Sequence, residues 1–172
     1  MENNRKELIL KEYIDKCFIS AILCDNHYQY YYKINMIGML PLILGSSILT
    51  VLNSSTIKED IMKYINVSIN GLNTVIMALI TQYKLQDRIN TYKTLYNKYQ
   101  KLSHKIESII NNSTEITDKI LDDIITEYDL LQNDNQYTYL SHYKTKIIKA
   151  YAGKRIMPNS LSVDAELIIM NA

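Results

Sequence analysis

From Ile34 to Ile57 the chain carries no charged side chain, a run of 24 residues bounded by Lys33 and Lys58. A hydrocarbon core about 30 Å thick is crossed by roughly 20 residues of helix at about 1.5 Å each, so this run is long enough to span a bilayer. Its centre, Ile34 to Leu52, reads INMIGMLPLILGSSILTVL. A second uncharged stretch, Tyr64 to Tyr83, reads YINVSINGLNTVIMALITQY. The connector between them, Asn53 to Lys63, is short and balances Lys58 and Lys63 against Glu59 and Asp60. The pattern predicts an all-α membrane protein built on a two-helix transmembrane hairpin, residues 34–83, with spans 34–52 and 64–83. The soluble alternative places the same stretches as core helices of a bundle.

The spans are unequal. The second carries Asn66, Asn70, Asn73 and Met77 at i, i+4, i+7, i+11, a single helical stripe flanked by Gly71, Thr74 and Ala78. An unpaired amide in hydrocarbon is costly, so the stripe must meet protein or water. Two readings follow: interhelical packing through amides and small residues, or the lining of a pore in an oligomer. On the first span Gly38, Pro41, Gly45, Ser46 and Ser47 allow close approach, and Pro41 deletes one backbone hydrogen bond, which predicts a kink.

Basic residues flank the hairpin on its outer sides: Arg5, Lys6, Lys11, Lys16 and Lys33 before it, Lys84, Arg88, Lys93, Lys98, Lys101 and Lys105 after it. The positive-inside rule then puts both termini on the cytosolic or equivalent side. Tyr30 to Tyr32, Tyr64 and Tyr83 suit an interfacial aromatic belt. The sequon at Asn53 falls very near the bilayer, and the one at Asn112 falls on the cytosolic side. The first 33 residues are too charged for a cleavable signal peptide.

Helical arms are expected on either side. Leu10, Ile14, Cys17, Ala21, Cys24, Tyr28 and Tyr31 alternate in steps of four and three, a heptad seam on an N-terminal amphipathic helix (residues 1–33) that enters the first span directly. Leu85, Ile89, Tyr92, Tyr96, Tyr99, Leu102, Ile106 and Ile109 form a second seam, on a helix expected to continue from the second span without a break. Asn111, Asn112, Ser113 and Thr114 are read as ending that helix and capping the next. Ile116, Ile120, Ile124, Tyr128 and Leu131 give the return helix its apolar face, and Asp118, Asp122, Asp123, Glu127 and Asp129 make its other face acidic, either complementary to the basic helix before it or simply solvated. Gln136 to Ala152 is read as a last helix ended by Gly153. Residues 84–152 thus form an arm with a C-terminal helical hairpin, and 153–172 an extended tail that orders on a partner.

The remaining composition excludes more than it assigns. A net charge of +1 creates no field to recruit nucleic acid, and none is expected as a partner. Cys17 and Cys24, the only cysteines, share a helix face and read as small buried hydrophobes. His27, His104 and His142 lack relay partners, and His104 with Glu107 is a pair that arises easily by chance. No phosphate loop, nucleotide fingerprint or nucleophile elbow is present. Catalytic, cofactor-binding and metal-binding residues are all expected to be none, and the chain is not expected to be an enzyme.

The order of parts resembles the SLATT family of two-transmembrane proteins. A charged helix ends in HYQYYYK (His27 to Lys33) at the first span, and a short connector leads to the polar-flecked second span. TYKTLYNKYQKLSHKIESII (Thr91 to Ile110) and the acidic return helix with ITEYDLLQND (Ile125 to Asp134) follow. The resemblance covers about residues 5 to 135 and rests on architecture rather than on invariant residues. It implies an oligomeric pore-forming effector; stand-alone members in large DNA viruses, together with the Tyr-, Ile-, Asn- and Lys-rich composition of an AT-rich coding sequence, imply a viral membrane or virion envelope as the setting. Three functions therefore stand side by side: a structural or scaffold-anchoring membrane component, a SLATT-like pore, and a soluble helical interaction module. The partners expected are the lipid bilayer, further copies of the chain, and a protein scaffold met by the C-terminal arm.

Overall fold

The computed structural model describes residues 2–55, 58–112 and 115–170. Among the described residues there is no strand, and the helices are α1 (Glu2–Asn53), α2 (Glu59–Gln82), α3 (Leu85–Asn111), α4 (Asp118–Asn133), α5 (Ser141–Tyr151) and α6 (Asn159–Met170). The chain divides into two compact units: unit 1 is Met1–Tyr28 with Asn90–Ala172, and unit 2 is Gln29–Ile89. α1 belongs to both, unbroken through Lys33 and Pro41.

Unit 1 is a helical bundle built on the heptad seams. Leu10, Cys17, Ala21 and Cys24 of α1 are buried, as are Tyr92, Leu95, Tyr99, Leu102 and Ile106 of α3. The return helix α4 buries Ile124, Tyr128 and Leu131. Tyr128 sets its ring edge-on to Tyr13 at 5.3 Å and lies 6.0 Å from Tyr99, the aromatic geometry that adds to simple area burial. α4 runs antiparallel to α3, since Lys105 pairs with Glu127 at 2.6 Å and Lys98 with Asp134 at 2.7 Å. Of the acidic face read from the sequence, Glu127 pairs with α3 and Asp118 pairs instead with Lys6 of α1 at 2.9 Å, while Asp122, Asp123 and Asp129 are exposed.

Two local expectations change. The cap of α4 is Thr117, whose hydroxyl accepts from the Ile120 N–H at 3.3 Å, rather than the 111–114 segment; of that segment, Ser113 and Thr114 lie outside the described residues. The last predicted helix starts at Ser141 instead of Gln136, because Asn135 accepts from the Tyr137 N–H and the Leu140 N–H is taken by His27. Gly153, at φ 76, ends α5.

The described part of the 153–172 tail is also not extended. Residues 159–170 are helical, and Leu161 is fully buried against Ile19 and Leu23 of α1 and Ile147 and Ile148 of α5. Asp15 accepts from the Arg155 guanidinium at 2.7 Å and from the Ile156 N–H at 3.3 Å, while Lys144 pairs with Asp164 at 3.1 Å. The reason is a second apolar face on α1. Ile19 and Leu23 lie off the heptad seam and need cover, which α5 and α6 supply.

Unit 2 is an antiparallel hairpin of the 29–53 part of α1 with α2. A Cβ at Gly38 would meet Ile80 at 3.1 Å, and one at Gly45 would meet Asn73 and Ile69 at 3.1 Å. Near the connector, Asn66 donates to Asn53 at 3.4 Å. The expected continuous helix through residue 84 is instead broken, with Lys84 at φ 48. Asn66, Asn73 and Ile80 approach α1 at seven-residue intervals, and the next such position is Asp87, which is exposed. Beyond the break Leu85 and Ile89 are buried in its place. Arg88 then reaches the Tyr31 hydroxyl at 2.9 Å.

Two helices are long and apolar enough to cross a membrane, one within Asn3–Asn53 at mean hydropathy 1.8 and one within Glu59–Asn111 at 1.3. Their apolar windows are 6% and 0% buried within the chain.

Candidate functional site

The hairpin of unit 2 carries the stripe that the sequence singled out, and the structure sorts its members by whether their polar atoms are satisfied. Hydroxyls fold back on their own helix: Ser46 donates to the Leu42 carbonyl at 2.9 Å, Ser47 to Ile43 at 2.8 Å, Thr50 to Ser46 at 2.9 Å and Thr74 to Asn70 at 2.8 Å. Such bonds remove the need for an interhelical partner. The described amides of α2 make no such return bond, although Asn26 of α1 does, donating to the Ile22 carbonyl at 3.0 Å. Asn66 finds Asn53, but among the described residues neither Asn70 nor Asn73 makes a side-chain hydrogen bond.

Asn73 is half-buried against Gly45, and Asn70 is exposed. With Leu42, Ser46, Thr74 and Met77 they line an open groove of about 520 Å³ along the hairpin. Gly38 and Gly45 serve the hairpin contact itself, Ser46 lines the groove beside it, and Pro41 is exposed on the unbroken α1. Gly71 has open space where a side chain would be. The stripe is therefore divided. Asn66 and Asn73 turn toward the partner span, whereas Asn70 and Met77 turn out along the groove.

Around the groove the surface is apolar. Ile37, Leu40, Ile43, Leu44 and Val51 on α1, and Val67, Leu72, Val75 and Leu79 on α2, are all more than half exposed. Tyr32, Tyr64 and Tyr83 are exposed at the ends of the two stretches.

Unit 1 holds a different kind of polar site. His27 is fully buried, its Nδ1 2.7 Å from the Leu23 carbonyl and its Nε2 accepting from the Leu140 N–H at 2.8 Å. Sequence reasoning set it aside as a lone histidine. The one available signal was its place three residues after Cys24 and four before Tyr31, on the inward side of α1. Cys17 and Cys24 are buried as expected, and burial pushes both thiols up to about 12, against an ordinary value of 9.0. Neither is a ready nucleophile at neutral pH. Burial likewise raises the phenols of Tyr99, Tyr128 and Tyr139.

A cavity of about 360 Å³ between α1 and α3 is lined by Cys17, Phe18, Asp25, Tyr96 and His104 among others. His104 and Glu107 are 3.3 Å apart on the exposed side of α3. Among the described residues no three His, Cys, Asp or Glu side chains gather as a metal set. Comparisons with protein-family models, with curated proteins and with solved structures find no match.

Proposed function

We propose that the chain is a two-pass membrane protein whose hairpin anchors a helical domain, unit 1, to the cytosolic or equivalent face of a bilayer, as a structural or scaffold-holding component of a cellular or virion membrane. The observation that carries this reading is the location of the exposed apolar side chains. They crowd the two uncharged stretches, whose apolar windows the chain itself leaves almost wholly uncovered. Exposed apolar surface on this scale needs lipid or another protein over it. A bundle that used these helices as its core would bury them, so the soluble alternative loses its main support. In this reading the outer surface of α5 and α6, rather than a free tail, is what a scaffold meets.

Alkaline carbonate extraction of membranes from expressing cells tests the proposal. Retention in the pellet is expected, and release into the supernatant with the peripheral proteins would refute it.

A second reading is favoured by the groove. Among the described residues Asn70 and Asn73 make no side-chain hydrogen bond, in a segment that lipid would surround, and an amide is self-complementary as donor and acceptor. Further copies of the hairpin would supply the missing hydrogen bonds. If the stripe encloses water in such an oligomer, the result is a pore of the kind the SLATT resemblance implies. Ion flux through liposomes holding the purified oligomer separates the pore from a packed, closed assembly.

A further inference from the structure

His27 joins two segments of unit 1 that are more than a hundred residues apart in sequence, and its two bonds fix its protonation state. The Leu140 backbone N–H can only donate, so Nε2 must present a lone pair. The Leu23 carbonyl can only accept, so Nδ1 must carry the proton. The ring is therefore neutral and held as the Nδ1–H tautomer. A second proton would sit on Nε2 and face another donor at 2.8 Å, with no second hydrogen-bond partner for Nε2 among the described residues.

The surroundings offer a cation little help. The groups facing the ring are Tyr92 of α3 at 5.0 Å, Tyr139 before α5 at 5.2 Å, and Tyr143 of α5 at 5.1 Å between ring centroids. On its own helix Cys24 lies one turn back, occupied by the Tyr139 hydroxyl at 3.5 Å. His142, exposed beside Tyr143, opposes a positive charge at His27 whenever it is itself protonated. Burial lowers the imidazole below its ordinary value of 6.5, and the Leu23 carbonyl offsets only part of that.

Leu140 is the residue from which α5 starts, and α5 with α6 covers Ile19 and Leu23. We infer that α5 and α6 form a clasp over α1, latched by neutral His27, which opens on acidification and bares the apolar face of Ile19 and Leu23. The sign follows from linkage. With the folded-state value lowered, the latch contributes in full above 6.5 and is lost as pH falls from there through the folded value. Closure is also supported by Asp15 with Arg155 and by Asp164 with Lys144, so the test must separate the imidazole from the carboxylates.

Amide hydrogen exchange on the full chain in detergent, expressed as protection factors, makes that separation. Between pH 7.5 and 5.0, residues 138–151 and 153–162 are expected to lose several-fold in protection, while 118–133 hold theirs. In His27→Gln the amide can keep both bonds but cannot titrate, so protection there should stay flat. Unchanged protection in the wild type, or an equal loss in His27→Gln, would overturn the latch. Should that variant not fold, the ring nitrogen shifts of the wild type decide. An Nδ1–H tautomer titrating below 6.5 is expected, and an Nε2–H tautomer or titration at or above 6.5 contradicts it.

Discussion

Gly45 of α1 faces Asn73 of α2 so closely that a single added carbon would stand 3.1 Å from the amide oxygen. That contact sets the spacing of the hairpin, and Gly38 repeats it two helical turns away against Ile80. Two glycines seven residues apart thus let the helices approach along one face, while bulkier side chains occupy the faces turned outward.

Replacing Gly45 with leucine is expected to force the two helices apart, at about 1–3 kcal/mol, the usual range for overpacking a close contact. The thermal midpoint of the purified protein in detergent should fall accordingly. Gly71→Leu is the control, since open space surrounds that position. Equal loss in both variants would show that the contact is not responsible, since leucine favours the helix over glycine at either site.

Asn70 is exposed on the groove and contacts no span residue through a hydrogen bond among the described residues. Asn70→Leu should leave the hairpin folded and weaken association between copies by roughly 0.6–2 kcal/mol for each interhelical hydrogen bond lost. Sedimentation equilibrium in detergent reads this directly. If the oligomer also conducts, flux should disappear with the same substitution, whereas a closed packed assembly gives no flux in either form.

The α3–α4 hairpin offers a contrast between charge and packing. Lys105 and Glu127 are both about half exposed, so Lys105→Ala should cost no more than about 1 kcal/mol. Leu102→Ala, at a fully buried position, should cost about 2–5 kcal/mol. Chemical denaturation of unit 1 followed by Tyr fluorescence ranks the two, and a larger effect from the lysine would invert the reading of what holds α3 to α4.

Alkali should destabilise unit 1. Cys17 and Cys24 have folded-state values raised to about 12 from 9.0, so the stability tied to their protonated thiols is complete below 9.0 and falls as pH rises toward about 12. Thermal midpoints between pH 8 and 10.5 should decline, and Cys17→Ser with Cys24→Ser should flatten part of the slope. A midpoint insensitive to pH over that range would be inconsistent with buried thiols.

The helical seams were legible because periodicity reports burial directly: Leu10, Cys17, Cys24, Tyr99 and Tyr128 are core residues in the positions the spacing assigned. The break at Lys84 was not, since a lysine in the left-handed region leaves no local signature and is imposed by the phase difference between Ile80 and Leu85. The clasp was missed for a related reason. Ile19, Leu23, Ile147 and Leu161 belong to a second, non-heptad face, and pairing segments so far apart requires the tertiary fold. The stripe was visible as a row of polar residues, but its division into satisfied hydroxyls, a paired Asn66, and an Asn70 and Asn73 that make no side-chain hydrogen bond among the described residues depends on where α1 lies. For His27 the sequence offered only its place between Cys24 and Tyr31 on the inward side of α1, and its two backbone partners are both fixed by the bundle.

Membrane topology, probed by impermeant maleimide on intact cells, tests the anchoring role most directly. The native thiols are buried, so added cysteines report on their own sites. Ser54→Cys, in the connector, should label from outside, and Asn97→Cys, on the exposed face of α3, should label only after permeabilisation. Labelling of both positions from the same side would contradict a hairpin that crosses the bilayer twice with its termini on the inner face.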